Sequence, residues 1–123
     1  MGRLGWLVLL GAFVFATPAQ SAEGWGVHFV KGEYEDAARL ARAHDTDESW
    51  AFAARATLAR AETAALSKTQ AEAVYGRAEA DARRALALNP SHVEASLNLA
   101  IALGHLARLR GPVSLVAIDL AWA

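Results

Sequence analysis

Between residues 30 and 110 the apolar positions recur every three or four residues, the spacing of one face of an α-helix. Tyr34, Ala37, Leu40 and Ala41 share one such face. Ala54, Leu58, Ala61 and Ala65 form a second, Val74, Tyr75, Ala78, Ala82 and Leu86 a third, and Leu99, Ala100, Leu103 and Leu106 a fourth. Start signals precede three of the stripes: Asp45-x-x-Glu48, Ser67-x-x-Gln70 and Ser91-x-x-Glu94 each set a capping side chain three residues ahead of Glu or Gln, so that backbone donors at a helix start find partners. Asn89-Pro90 and Gly111-Pro112 stop helices, because proline lacks the N–H the ladder needs and restricts the residue before it. The pattern predicts helices over 30–44, 47–66, 68–88 and 92–110, with a fifth segment from 113 onward. Their fold class is all-α, antiparallel helix hairpins with short loops. Many facing positions are Ala, which lets helix axes approach to the short end of the usual range of about 8–10 Å.

The two ends follow other patterns. Met1-Gly-Arg3 is a short positive start, Leu4 to Ala16 an uncharged apolar run of 13 residues, and 17–22 a helix breaker with small residues. That is the layout of a secretory signal peptide, and the run falls short of the roughly 20 residues a bilayer-spanning helix needs. The expected division is a signal peptide over 1–22, a flexible leader over 23–29, a helical domain over 30–112 and an apolar tail over 113–123. Localisation is expected to be exported, periplasmic or secreted, with no stable membrane span after cleavage. Glycines at 24 and 26 oppose helix in the leader. The tail carries a single charge, Asp119, and no polar face. Something is expected to cover it, and self-association through 113–123 is one way to do so.

Composition narrows the function classes. The 123 residues fit one ordinary domain, and with 30 Ala and three Pro they favour helix. Twelve basic against thirteen acidic side chains give a formal charge of −1, which suggests no nucleic-acid partner. Without Cys there is no disulfide framework, zinc knuckle or thiol chemistry, so stability after export rests on packing. The four histidines form no HExxH pair, no Gly-x-Ser-x-Gly elbow or phosphate-binding Gly-Lys loop occurs, and Ser67 and Ser91 read as caps; neither an enzyme nor a cofactor is predicted. His44-Asp-Thr-Asp-Glu48 gathers an imidazole and three carboxylates and could hold a divalent cation, the basis of an alternative reading as a small exported metal-dependent factor. The commoner explanation is acidic residues complementing a helix start, so no metal site is assigned.

Sliding the chain against itself by 41 residues superposes Tyr34 on Tyr75, Ala37 on Ala78, Ala41 on Ala82, Arg42 on Arg83, Ala54 on Ala95, Leu58 on Leu99, Ala59 on Ala100 and Ala61 on Ala102. A period of this size signals two-helix units that bury their apolar faces on one another. The stretch Tyr75-x-x-Ala78-x-x-x-Ala82-x-x-Ala85-Leu-x-Leu88-Asn-Pro90, followed by Asn98-Leu-Ala100, resembles the second helix of a tetratricopeptide repeat (TPR), its terminal proline and the next first helix. Gly32-x-Tyr34-x-x-Ala37 leading to Leu58-Ala59 is a weaker copy. The period exceeds the family's 34 residues by about two helical turns, and Arg55 and Ser96 stand where the family places a large aromatic. A HEAT-type solenoid is the structural alternative.

The resemblance implies a short right-handed TPR-like solenoid that binds a protein or peptide partner in a groove lined by first helices. Carried over by position, Thr57, Arg60 and Thr63 from one repeat and Glu94, Leu97, Asn98, Ile101 and His105 from the next would face it. Only Asn98 matches the carboxylate clamp of chaperone-binding members, whose Lys and second Asn are missing, so an acidic chain terminus is not the implied ligand. A noncatalytic interaction module of the cell envelope is the expectation; a fragment without independent activity is the other alternative. Ala22 is taken as the last residue removed, leaving 101 residues. The exported chain is expected to begin at Glu23 by N-terminal sequencing; a product that retains Met1 would make the apolar start an anchor.

Overall fold

The computed structural model describes residues 24–111; the expected signal peptide, 1–22, and the expected apolar tail, 113–123, lie outside the described residues. The architecture is all-helical: α1 Trp25–Val30, α2 Tyr34–His44, α3 Asp47–Thr63, α4 Lys68–Leu88 and α5 Val93–Arg110. No described helix is long and apolar enough to cross a membrane.

Local chemistry sets the ends, with two corrections to the sequence reading. The α3 cap is Thr46, not Asp45: Thr46 Oγ1 accepts from Ser49 N at 3.1 Å, and Ser49 Oγ accepts from Thr46 N at 2.8 Å. Asp45 instead ends α2 in the left-handed region, φ 54°, a conformation its short polar side chain tolerates. At α5 the cap is His92, whose Nδ1 accepts from Ala95 N, while Ser91 N donates to Asn89 Oδ1 within the turn. Ser67 and Gln70 do form the expected reciprocal box ahead of α4.

The expected flexible leader is also corrected, since it holds α1. Gly24, at the start of the helix, sits at φ 75°, a left-handed conformation that suits glycine, and Trp25 is 7% exposed. Burying the indole outweighs the cost of Gly26 inside the helix. Trp25 packs with Ala37, Ala38, Ala41, Ala53 and Ala56, and Phe29, Leu40 and Phe52 close around that cluster.

The second half of the core is a single seam shared by α3, α4 and α5. Its layers are Ala51, Ala85 and Ala95; then Ala54, Ala82 and Leu99; then Leu58, Tyr75, Ala78, Ala102 and Leu106. Partners ascend together on α3 and α5 and descend on α4, so α4 runs opposite to its two neighbours. Ion pairs repeat the parallel relation between alternate helices: Arg42 to Asp81 and Asp45 to Arg84 join α2 to α4, and Arg55 to Glu94 joins α3 to α5.

One polar cluster lies inside. Arg42 Nε donates to Asp81 Oδ1 at 2.9 Å and Nη2 to Oδ2 at 2.7 Å, a two-pronged contact that matches the planar guanidinium to the carboxylate. Arg42 Nη2 also donates to Thr57 Oγ1 at 3.0 Å, and Thr57 Oγ1 donates in turn to Ala53 O at 2.8 Å. The Asp81 and Arg42 side chains are 4% and 20% exposed. Breaking a pair of this kind by removing one partner costs about 3–5 kcal/mol, because the other charge stays buried without a counterion. Asp81→Ala is expected to lower the urea-unfolding free energy by about that amount. The double variant Arg42→Met/Asp81→Leu should recover most of it, and a single variant as stable as the parent would remove the cluster from the structural account.

Candidate functional site

The residues expected to line a groove do not share one surface. Thr57 is buried at the α2–α3–α4 junction in the Arg42 network. Asn98 is buried too, its Nδ2 donating to Ala51 O across the α3–α5 contact at 3.2 Å. Both were placed by analogy of position, and both are drawn inward because a neighbouring helix offers a hydrogen-bond partner that solvent-facing register could not supply. Arg60 reaches the other way and pairs with Glu35 at 3.3 Å. The pair lines a cleft of about 360 Å³ with Gly32, Glu33, Tyr34 and Thr63. Glu94 is held by Arg55, whose guanidinium also lies 5.5 Å from the Phe52 ring centroid.

His105 stacks on Tyr75 with centroids 4.4 Å apart and rings 11° from parallel. Its Nδ1 accepts from Arg108. Burial, helped by the Arg108 charge, lowers the His105 pKa below its usual value, so the neutral ring is the form the fold prefers. Burial, with help from Glu62, raises the Tyr75 hydroxyl pKa.

Open apolar surface appears on α5 instead. Val93, Leu97 and Ile101 stand one turn apart and are 80%, 58% and 36% exposed. Leu97 and Ile101 were among the positions implied to face a groove; Val93 was missed, although its i, i+4, i+8 relation to them is legible in the sequence. Gly104 continues the row into space where an added Cβ would meet nothing within 4 Å. The row runs beside the Arg55–Glu94 pair, so it is apolar along its length with a bound charge pair on one border.

The ligand atoms of His44, Asp45, Asp47 and Glu48 are not brought together in one group. His44 packs edge-on to Trp25 with centroids 5.1 Å apart. Asp45 accepts from the Trp50 indole N–H at 2.6 Å and from Arg84 at 3.3 Å, and the indole bond holds its carboxyl below the usual range. Asp47 accepts from Asn89 Nδ2 at 3.0 Å, which lowers its pKa likewise and ties the start of α3 to the end of α4. These carboxylates are joints between helices. Among the described residues, ligand atoms converge at His28, Glu33 and Asp36, all within 4.8 Å of one another, where the Gly32 turn brings α1 against the start of α2. His28 Nδ1 lies 3.3 Å from Glu33, and Arg39 donates to Asp36 at 3.3 Å, so the group is internally paired.

Compared with known protein families, curated proteins and solved structures, the chain matches none.

The His105 shift has a testable sign. A depressed folded-state pKa means that the unfolded chain binds the proton first as pH falls below about 6.5. The stability this residue contributes is therefore present above that pH and lost as pH drops through the folded value. The melting temperature of the parent is expected to fall more between pH 7.5 and 5 than that of His105→Phe, which keeps the ring stack but cannot titrate; equal falls would contradict the assignment.

Proposed function

We propose that the chain is an exported, noncatalytic interaction module of the cell envelope, built as a short TPR-like stack of helix pairs, that binds a protein or peptide partner through the open face of α5. The observation that carries the reading is the exposed row Val93, Leu97 and Ile101, three large apolar side chains in line on a helix whose other side is fully engaged. Scattered single apolar residues are normal on a surface, whereas a continuous row bordered by an ion pair is a recognition feature.

The parallel relation of α2 to α4 and of α3 to α5, seen in ion pairs that join residues 39 apart, supports stacking of like units at close to the 41-residue period. One departure goes with it. Ala54 and Leu99, 45 residues apart, share a cluster, as do Leu58 and Ala102, 44 apart, so the direct α3–α5 contacts are offset by a few residues from the 41-residue period. The partner chemistry that suits the row is an apolar-faced helical segment. Leu97 and Ile101 offer contact area, and Gly104 and Ala100 allow close approach of a second axis.

Site-specific photocrosslinking tests the assignment in the cell envelope of the producing organism. A benzophenone side chain at position 97 is expected to capture a partner that the same probe at exposed Arg83 on α4 does not, and Ile101→Asp should abolish the capture without changing helicity. Equal capture at both positions, or none at position 97, would defeat the proposal.

A further inference from the structure

Gly104 is at odds with its place in α5. Inside a helix a glycine costs about 1 kcal/mol relative to alanine. An added Cβ there would meet nothing among the described residues within 4 Å, so the packing of the chain on itself does not require the missing side chain. On an open face, a glycine lets another helix axis come close. At about 100° per residue Gly104 lies in line with Leu97 and Arg108, both exposed, and Glu94 and Ile101 run along one edge of that line. This face of α5 is turned away from the seam with α3 and α4.

We infer that this face pairs with the same face of a second copy of the chain, the two α5 helices antiparallel about a two-fold axis level with residues 100 and 101. The inference rests on the reading of the face as a contact surface and names its occupant. With a rise of 1.5 Å per residue, Leu97 and Gly104 lie about 5 Å on either side of that axis, so each leucine is set over the glycine of the other copy. Ile101 lies beside the axis and meets its own counterpart. Glu94 and Arg108 lie about 10 Å and 11 Å out at opposite ends, so each acid comes beside the base of the other copy, twice in one dimer. Both groups have capacity for that contact: Arg55 takes Glu94 through Oε1, which leaves Oε2, and Arg108 gives one N–H to His105 Nδ1 out of the five its guanidinium carries. Acid at a helix start and base at its end also suit the dipole; their place on the face of the row is what an antiparallel copy uses. A helix of unrelated sequence would fit the leucine and isoleucine equally well, whereas the glycine and the balanced charges match a copy of the same helix. One helix face is smaller than the roughly 800 Å² per partner of a standard interface, so the dimer is one that dissociates on dilution.

Sedimentation equilibrium of the full chain over a dilution series is expected to pass from twice the chain mass to the chain mass. Gly104→Leu fills open space in the monomer, so it should keep or raise helicity and melting temperature while weakening the dimer about tenfold or more. Arg108→Glu and Glu94→Lys should each weaken it by a similar factor, and an equimolar mixture of the two variants should form mixed dimers, because every facing charge pair is then opposite in sign. A chain that stays monomeric throughout the series, or a dimer indifferent to Gly104→Leu, overturns the inference. The benzophenone probe at position 97 separates the two proposals. A crosslinked product of twice the chain mass supports both; a product of another mass from a monomeric chain removes the second copy and leaves the contact surface standing. No product at position 97, with a dimer that survives Gly104→Leu, overturns both.

Discussion

The Arg42–Asp81–Thr57 cluster is the constraint on which the rest of the arrangement depends. Alanine seams have little shape of their own: a row of methyl groups slides along another row at small energetic cost, and burial by itself does not define the register of α2 against α3 and α4. A forked contact between a guanidinium and a carboxylate does define it, because both prongs are satisfied at one axial and rotational setting. Arg42 on α2, Thr57 on α3 and Asp81 on α4 thereby fix three helices at one point. The exposed joints at Asp45–Arg84, Asp47–Asn89 and Arg55–Glu94 extend the same alignment along the helices, each adding little by itself in high dielectric.

Much of the helical framework was legible in the sequence. The apolar stripes place four helices, and Ser67–Gln70 locates the start of α4 to the residue. The misses have physical reasons. At 44–49 several residues can cap, and backbone geometry decides among them: Asp45 is taken up by the Trp50 indole in a left-handed turn, which leaves Thr46 and Ser49 to form the box. The short α1 was hidden by two glycines, whose local preference gives way to burial of Trp25 against α2 and α3.

The candidate site was far less legible. Positions carried over from a resemblance assign a side chain to the inside or outside only if the helices pack as in the family, and here Thr57 and Asn98 are buried with hydrogen-bond partners on neighbouring helices. A buried Thr or Asn is indistinguishable from an exposed one by residue type. Likewise, the 41-residue identities do not separate buried from exposed positions: Ala37, Ala78, Ala41, Ala82, Ala54 and Ala95 are buried, whereas Arg83 and Ala100 are exposed. The exposure of Val93 and Leu97 follows from what does not pack on α5, and no stripe in a single helix can report the absence of a neighbour.

The alanine seams carry one more consequence, for how this chain can change over generations. In a Leu-rich core most harmful substitutions shrink a side chain and leave a void. Ala37, Ala41, Ala54, Ala78, Ala82, Ala85 and Ala95 are already near the lower size limit and fully shielded, so nearly every replacement there is an enlargement that must wedge two helices apart. Tolerated variation is therefore steered to the helix flanks and joints, and the spacing between backbones becomes the slowest trait to drift.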